Sequence, residues 1–168
     1  LITGGAGSVG KRLVNRFLRE GQSVRVFDLP VMDFTDLESL DGVEILHGDI
    51  TNSSDVHNAV TNISGAVHLA AILPPNSEKN RDITFAVNVG GTKNLINAIQ
   101  QNQPNAKLVF TSSISTYGDT SAKSPPILVD QPQNAIDIYA ESKIVSEADL
   151  KSSSIPWVIL RIASIAVP

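Results

Sequence analysis

Tyr139 and Lys143 are the residues of this sequence whose types and spacing could move a proton. Four apart on a helix, their side chains lie one turn apart on the same face. A phenol with a pKa of about 10 is a poor acid–base catalyst at neutral pH, and a nearby ammonium favours the phenolate and lowers that pKa. Ser113 supplies a third polar group. It ends an apolar run, 106–113, that reads as a strand, and a hydroxyl there could bond a substrate oxygen from the other side. Taken alone, Tyr-x-x-x-Lys also describes a surface pair on an amphipathic helix, so the surrounding elements must decide.

The chain opens on Leu-Ile-Thr-Gly-Gly-Ala-Gly-Ser-Val-Gly, an apolar strand end running into glycines and then into an amphipathic helix. Gly4 permits a tight turn off the strand, Gly7 lets the backbone approach a pyrophosphate, and Gly10 lets the helix pack close to the sheet. Free N–H groups from Ser8 and Val9 onward, at the positive end of the helix dipole, form an anion site. The helix is expected from Ser8 to about Glu20, with Val9, Leu13, Val14, Phe17 and Leu18 on its apolar face, and Gly21 stops it. A second strand, 23–27, delivers Asp28 at its end, 18 residues beyond Gly10. A carboxylate there can accept hydrogen bonds from both hydroxyls of an adenosine ribose and would repel a 2′-phosphate. This favours NAD, while Lys11, Arg12 and Arg25 leave NADP open.

Further along, 43–50 reads as a third strand, and Thr51-Asn52-Ser53-Ser54-Asp55 supplies N-cap candidates for a helix to about Asn62. The almost wholly apolar stretch 65–71 suits a strand covered on both faces. A long helical pattern from about Asn80 to Asn102 puts Ile83, Val87, Leu95, Ile96 and Ile99 inward, with Gly90 and Gly91 allowing close packing midway. The polar loop 114–136 is long enough to carry function. A helix over 138–151 and a strand over 156–162 complete the chain. Strands alternating with helices predict an α/β, doubly wound parallel sheet of order 3-2-1-4-5-6, with a dinucleotide crossing the switch point between strands one and four.

At 168 residues the chain has the length of one domain, 42% hydrophobic and 18% charged. A net charge of −4 without a basic run argues against nucleic acid, and the absence of cysteine excludes disulfides and thiolate metal sites. No apolar run reaches the roughly 20 residues that span a membrane, and a cytoplasmic protein is expected. No metal site is expected from His47, His57 and His68, which fall on separate elements; His68, inside an apolar strand, reads as a satisfied core histidine. The opening strand is short, so residues 1–168 are expected to form a dinucleotide-binding domain truncated at both ends.

Thr3–Gly10, Asp28, Gly48-Asp49-Ile50, His68-Leu69-Ala70-Ala71, Asn88-Val89-Gly90-Gly91-Thr92, the run 111–118 and Tyr139-Ala140-Glu141-Ser142-Lys143 occur in that order. Together they closely resemble the extended short-chain dehydrogenase/reductases, the NAD-dependent epimerase/dehydratase group acting largely on nucleotide sugars. The resemblance runs from Leu1 to about Arg161. It implies a Rossmann fold, Tyr139 as the acid–base tyrosine, and Lys143 as the lysine that tunes it and holds the nicotinamide ribose. It implies Ser113 as the hydroxyl that binds and polarises the reacting carbonyl or alcohol, and Tyr117 as a residue lining the substrate site. Asp49 and Ile50 resemble adenine contacts, Ala70 and Ala71 the backbone beside the cofactor, and Asn88 a structural asparagine. Where the family often shows Arg-Pro-x-Asn, this chain has Arg161-Ile162-Ala163-Ser164, which departs at the nicotinamide end.

The expected function is NAD-dependent hydride transfer at a secondary alcohol or ketone of a small-molecule substrate. The reaction would be an epimerisation, dehydration or oxidation, with a nucleotide sugar favoured. A hydroxysteroid- or flavonoid-type reductase of the same family, and a dinucleotide-binding sensor or scaffold without turnover, are the alternatives. A homodimer is left open. The substrate-binding part of the family has no counterpart in these residues, and 157–167 carries one charge in eleven residues, so this edge is expected to associate with other chains.

Overall fold

A computed structural model of the chain describes residues 1–122 and 125–165. Six parallel strands form one sheet of order β3-β2-β1-β4-β5-β6, as the alternation of elements predicts. They are β1 (Ile2–Thr3), β2 (Val24–Asp28), β3 (Val43–His47), β4 (Gly65–His68), β5 (Lys107–Ser113) and β6 (Trp157–Ile162). Register is direct across the centre: Thr3 stands beside Phe27 on one side and beside His68 on the other. The order reverses between β1 and β4, so the crossovers on either side of that point leave a crevice above the strand ends.

One apolar cluster under β1, β2 and α1 (Ser8–Arg19) includes Ile2, Val14, Val24, Val26 and Leu37. On the opposite face α3 (Ser53–Ala59) and α5 (Gly91–Asn102) close over Phe27, Val56, Leu95, Ile99, Leu108 and Phe110. Burial of apolar area on both faces of the sheet is what holds the layers together. α2 (Thr35–Glu38) is a single helical turn in the connection after β2.

Several boundaries differ from the sequence expectation, and two of them shape the crevice. β3 ends at His47 instead of Ile50, and β4 at His68 instead of Ala71. The residues that follow leave the sheet to form its upper rim. α3 stops at Ala59, ahead of Asn62, which takes a left-handed φ of 58°.

The run from Arg81 to Asn102 is helical throughout, as expected, but α4 (Arg81–Phe85) passes through a π-helical turn, Ala86–Gly90, before α5 begins. The wider turn takes an extra residue and rotates the apolar face by about 100°. Ile83 is 55% exposed rather than inward, and Thr84 is buried. The glycine pair also divides. A Cβ on Gly91 would stand 2.8 Å from the Ile50 side chain, whereas one on Gly90 would meet nothing nearer than 3.8 Å. Of the two, Gly91 alone is required by close packing.

α6 (Ile138–Lys151) crosses back to β6, the last strand of the sheet, whose Trp157, Val158 and Leu160 are partly exposed. The rest of that expected apolar edge, residues 166 and 167, lies outside the described residues, as do residues 123 and 124 of the loop 114–136.

Candidate active site

A cleft of about 770 Å³ opens over the C-terminal ends of β1, β2, β4 and β5, within the range of small-molecule sites. Every proposed cofactor-binding residue lines it: Gly4, Gly7, Ser8, Val9, Gly10, Asp28, Asp49, Ile50, Ala70, Ala71, Tyr139 and Lys143. Ser113 lines it as well; Tyr117 does not.

At the glycine end the chain itself shapes the cleft. Gly4 has φ +68°, and a Cβ there would lie 2.7 Å from the Ala70 amide nitrogen. Only glycine allows the β1 exit and the β4 exit to stand that close. Gly10 is buried, and a Cβ would run into the Gly5 main chain. The Asp28 carboxylate accepts hydrogen bonds from the Ala6 amide at 3.0 Å and the Leu29 amide at 2.9 Å. Each oxygen keeps a lone pair for a ribose hydroxyl. Two of the cations that left NADP open are already engaged. Lys11 donates to Asp36 at 2.9 Å, and Arg25 bonds Glu44 at 2.8 Å and the carbonyls of Ala59 and Thr61. Arg12 is exposed, and none of the three lines the cleft.

At the other end, β5 brings Ser113 and α6 brings Tyr139 and Lys143 to the same wall. The α6 start is set by Asp137, whose carboxylate accepts from the Ala140 amide at 2.6 Å. Ser113 accepts from the Ser115 amide at 3.1 Å and the Ser115 hydroxyl at 2.9 Å, so its own hydroxyl hydrogen remains for a ligand oxygen. Lys143 is buried, donates to the Thr111 carbonyl at 2.9 Å, and lies 4.8 Å above the centre of the Phe110 ring. Burial pulls its pKa down to about 8, which leaves it protonated at neutral pH.

The expected tuning of Tyr139 takes a different form. Its phenol is pushed above the ordinary value, by burial first and the Asp137 charge second. Lys143 stands 5.5 Å from the ring centre with its ammonium turned to the Thr111 carbonyl, too far to reverse the cost of burying a phenolate. The resting group is a proton donor.

Tyr117 is expected on the substrate side, but its side chain is buried with Arg161 packed against it: the guanidinium lies 4.9 Å from the ring centre and donates to the phenol oxygen. The reason is the turn Ile114–Tyr117, a 3₁₀ helix that carries the ring back under the loop. Asn88 acts as a brace. Its side chain accepts from the Ile72 amide at 2.7 Å and donates to the Ile72 carbonyl and the Ser142 hydroxyl. His68 is buried between the hydroxyls of Thr3 at 2.6 Å and Thr92 at 3.1 Å, and burial aided by Lys143 holds its pKa down at about 3.

Sequence reasoning missed Glu147. Fully buried, it accepts from Ser112 at 2.6 Å, from Arg161 at 2.9 and 2.7 Å, from Gln133 at 3.2 Å and from Lys151 at 3.1 Å. Burial works to raise its carboxyl, yet the bonds from Arg161, Ser112 and Lys151 outweigh that and hold it at about 2. Tyr139, Lys143 and Glu147 form one i, i+4, i+8 row, and an acid on that row was the available signal. The cleft also has an aliphatic wall, Ile72, Leu73, Ile162, Ala163 and Ile165, that no motif marks. Among the described residues no group of His, Asp or Glu could hold a metal ion, and no helix is long and apolar enough to cross a membrane.

Fold and cleft together define a Rossmann-type domain of the extended short-chain dehydrogenase/reductase class. The chain belongs to the 3-beta hydroxysteroid dehydrogenase/isomerase family, whose family model matches residues 1–155. It is 38% identical to CDP-paratose 2-epimerase of Salmonella typhi over 127 residues, 71% of this chain and 38% of that one. It is 36% identical to 3-beta-hydroxysteroid dehydrogenase of Mycolicibacterium neoaurum over 154 residues, covering 88% and 41%. The UDP-glucose 4-epimerase of Thermus thermophilus, solved in complex with NAD, superposes with a TM-score of 0.85 at 29% identity over 95% of this chain and 53% of that one. The chain thus spans about two fifths of the length of these curated relatives and about half of the solved structure.

Proposed function

We propose that the chain carries the NAD-binding half of an enzyme that oxidises and reduces a secondary alcohol or ketone. The observation that carries this reading is the convergence of Ser113, Tyr139 and Lys143 on the same cleft as the glycine loop and Asp28. The residues fit a dinucleotide. Gly7, Ser8 and Val9 offer main-chain N–H groups to a pyrophosphate, Asp28 offers two oxygens to a ribose, and Asp49 and Ile50 face the adenine end. Bound there, the nicotinamide would accept or return a hydride.

The chain's own residues do the rest. Ser113 donates to the reacting oxygen and polarises it. Tyr139, protonated at rest, gives its proton to a forming alkoxide, and in the reverse direction takes one from the alcohol. Lys143 keeps a positive charge beneath that exchange and stabilises the phenolate whenever it forms. With Asp28 free to bond a ribose, and with Lys11 and Arg25 held in ion pairs, NAD is preferred to NADP.

A nucleotide sugar is the favoured substrate, supported by the likeness to the two sugar-nucleotide epimerases. One observation favours the hydroxysteroid alternative: the aliphatic wall of Ile72, Leu73, Ile162, Ala163 and Ile165 beside Ser113 and Tyr139 suits an apolar alcohol. The same reading takes the enzyme to be cytoplasmic.

Tyr139→Phe tests the chemistry. Turnover should fall about 10²–10⁴-fold, while the NAD dissociation constant measured by calorimetry changes less than about threefold. Near-normal turnover would remove Tyr139 from its role, and no heat of NAD binding by the unaltered protein would remove the cofactor.

A further inference from the structure

We propose that Glu78, 61 residues before Tyr139 in the chain, is a positioning residue that holds Tyr139 in its place in the cleft. This rests on the proposed role of Tyr139. A helix begins with four N–H groups that lack partners within the helix. In α6 three of the four, those of Ile138, Tyr139 and Ala140, are met by side chains. Asp137 accepts from Ala140 through its side chain, as an ordinary N-cap does. The other two, Ile138 and Tyr139, donate to the carboxylate of Glu78, at 2.9 and 3.1 Å. The second of these is the main-chain nitrogen of the tyrosine itself.

Glu78 is not placed by its own chain neighbourhood alone. It ends the turn Asn76–Glu78, which grows out of the cleft wall at Ile72 and Leu73. That turn is fixed at its base by the Asn88 bonds to Ile72 and under its middle by Thr84, whose hydroxyl donates to the Ser77 carbonyl at 2.8 Å. The Ser77 hydroxyl donates to Glu78 at 2.8 Å and fixes the carboxylate rotamer. A second tie runs parallel, where Arg81 donates to both oxygens of Glu141 one turn into α6. Glu78 therefore joins the wall that carries Ile72 and Leu73 to the first turn of the helix that carries Tyr139. The Ile138 amide above all holds its carboxyl below the usual range, so it is a carboxylate throughout the neutral range.

A misplacement of about 1 Å at a reacting group costs about 100-fold in rate. Glu78→Ala should therefore lower kcat about 10–100-fold and leave the NAD dissociation constant within about twofold, a split that general loss of structure would not produce. Glu78→Gln, whose single acceptor oxygen keeps one of the two bonds, should fall between the two. The chain has two tyrosines, so tyrosine-labelled protein gives two sets of resonances in a magnetic-resonance spectrum, assigned with Tyr139→Phe. In Glu78→Ala the Tyr139 amide resonance should move upfield and the response of its ring to NAD should change, while Tyr117 stays where it is. Unchanged Tyr139 resonances overturn the proposal. So does a fall in kcat matched by an equal loss of NAD affinity and a shift of Tyr117, which would make Glu78 a general stabiliser. If the unaltered enzyme turns over no secondary alcohol or ketone, the proposed function fails, and the resonances still decide whether Glu78 sets the position of Tyr139.

Discussion

On the β1–β2 side the cleft is built from main chain and near neighbours. Gly4 turns in a conformation closed to other residues, and Asp28 ties the glycine loop across 22 positions of sequence. On the β5–β6 side it is built from buried side chains drawn from distant segments: Lys143 on the Thr111 carbonyl, Glu147 on Ser112 and Arg161, Glu78 on the start of α6. A phosphate needs oriented N–H groups, which any sequence with the right glycines supplies. Moving a proton needs charged groups held out of water, and each of those must find a partner. The contrast teaches where the molecule is brittle.

The sharpest way to break the second side is Glu147→Ala. It leaves the Arg161 guanidinium, 13% exposed, without its carboxylate. Removing one partner of a buried pair costs about 3–5 kcal/mol, so a drop of that order in urea-unfolding stability is expected at pH 7. The folded carboxyl titrates at about 2, against 4.5 ordinarily, so its contribution is full above pH 4.5 and is lost as pH falls towards 2. Glu147→Ala should flatten the acid branch of the stability curve over that window.

The glycine pair sharpens the comparison at the hinge between the two sides. Gly91→Ala must push the Ile50 side chain aside and should cost about 1–3 kcal/mol with weaker NAD binding, because Ile50 lines the cleft. Gly90→Ala should be neutral or slightly stabilising. Equal effects in thermal unfolding would contradict the packing described.

His68 stands between the two sides and should report on pH. Neutral when folded, with a pKa of about 3 against 6.5 ordinarily, it resists a proton that the unfolded chain accepts. Stability should therefore be full above pH 6.5 and fall as pH drops towards 3. By pH 5 the loss from this group is about 2 kcal/mol, and a His68→Asn variant should lack that part of the slope.

The smallest expected effect belongs to the first side. Asp28→Asn should weaken NAD binding by about tenfold and narrow its advantage over NADP, both read by calorimetry. Tighter NADP binding by the unaltered protein would mean that Arg12 governs the pocket instead.

What the residues alone determined was local or periodic. The glycine spacing, the apolar alternation of strands and helices, Asp28 at a strand end and the Tyr139–Lys143 step are each set by chain geometry within a few residues, and they led to the sheet order, the cleft and most of its lining. Tertiary structure decided what depends on distant partners. The π-turn at Ala86–Gly90 interrupts the helix at a point that no fixed period foresees. The burial of Tyr117 against Arg161, the clamp on Glu147, and the raised pKa of Tyr139 where a lowered one was expected, all arise from groups 14 to 44 residues apart or from desolvation. A carboxylate or a phenol carries no mark in the sequence of how much water it will lose. That quantity is fixed only when the layers close over it.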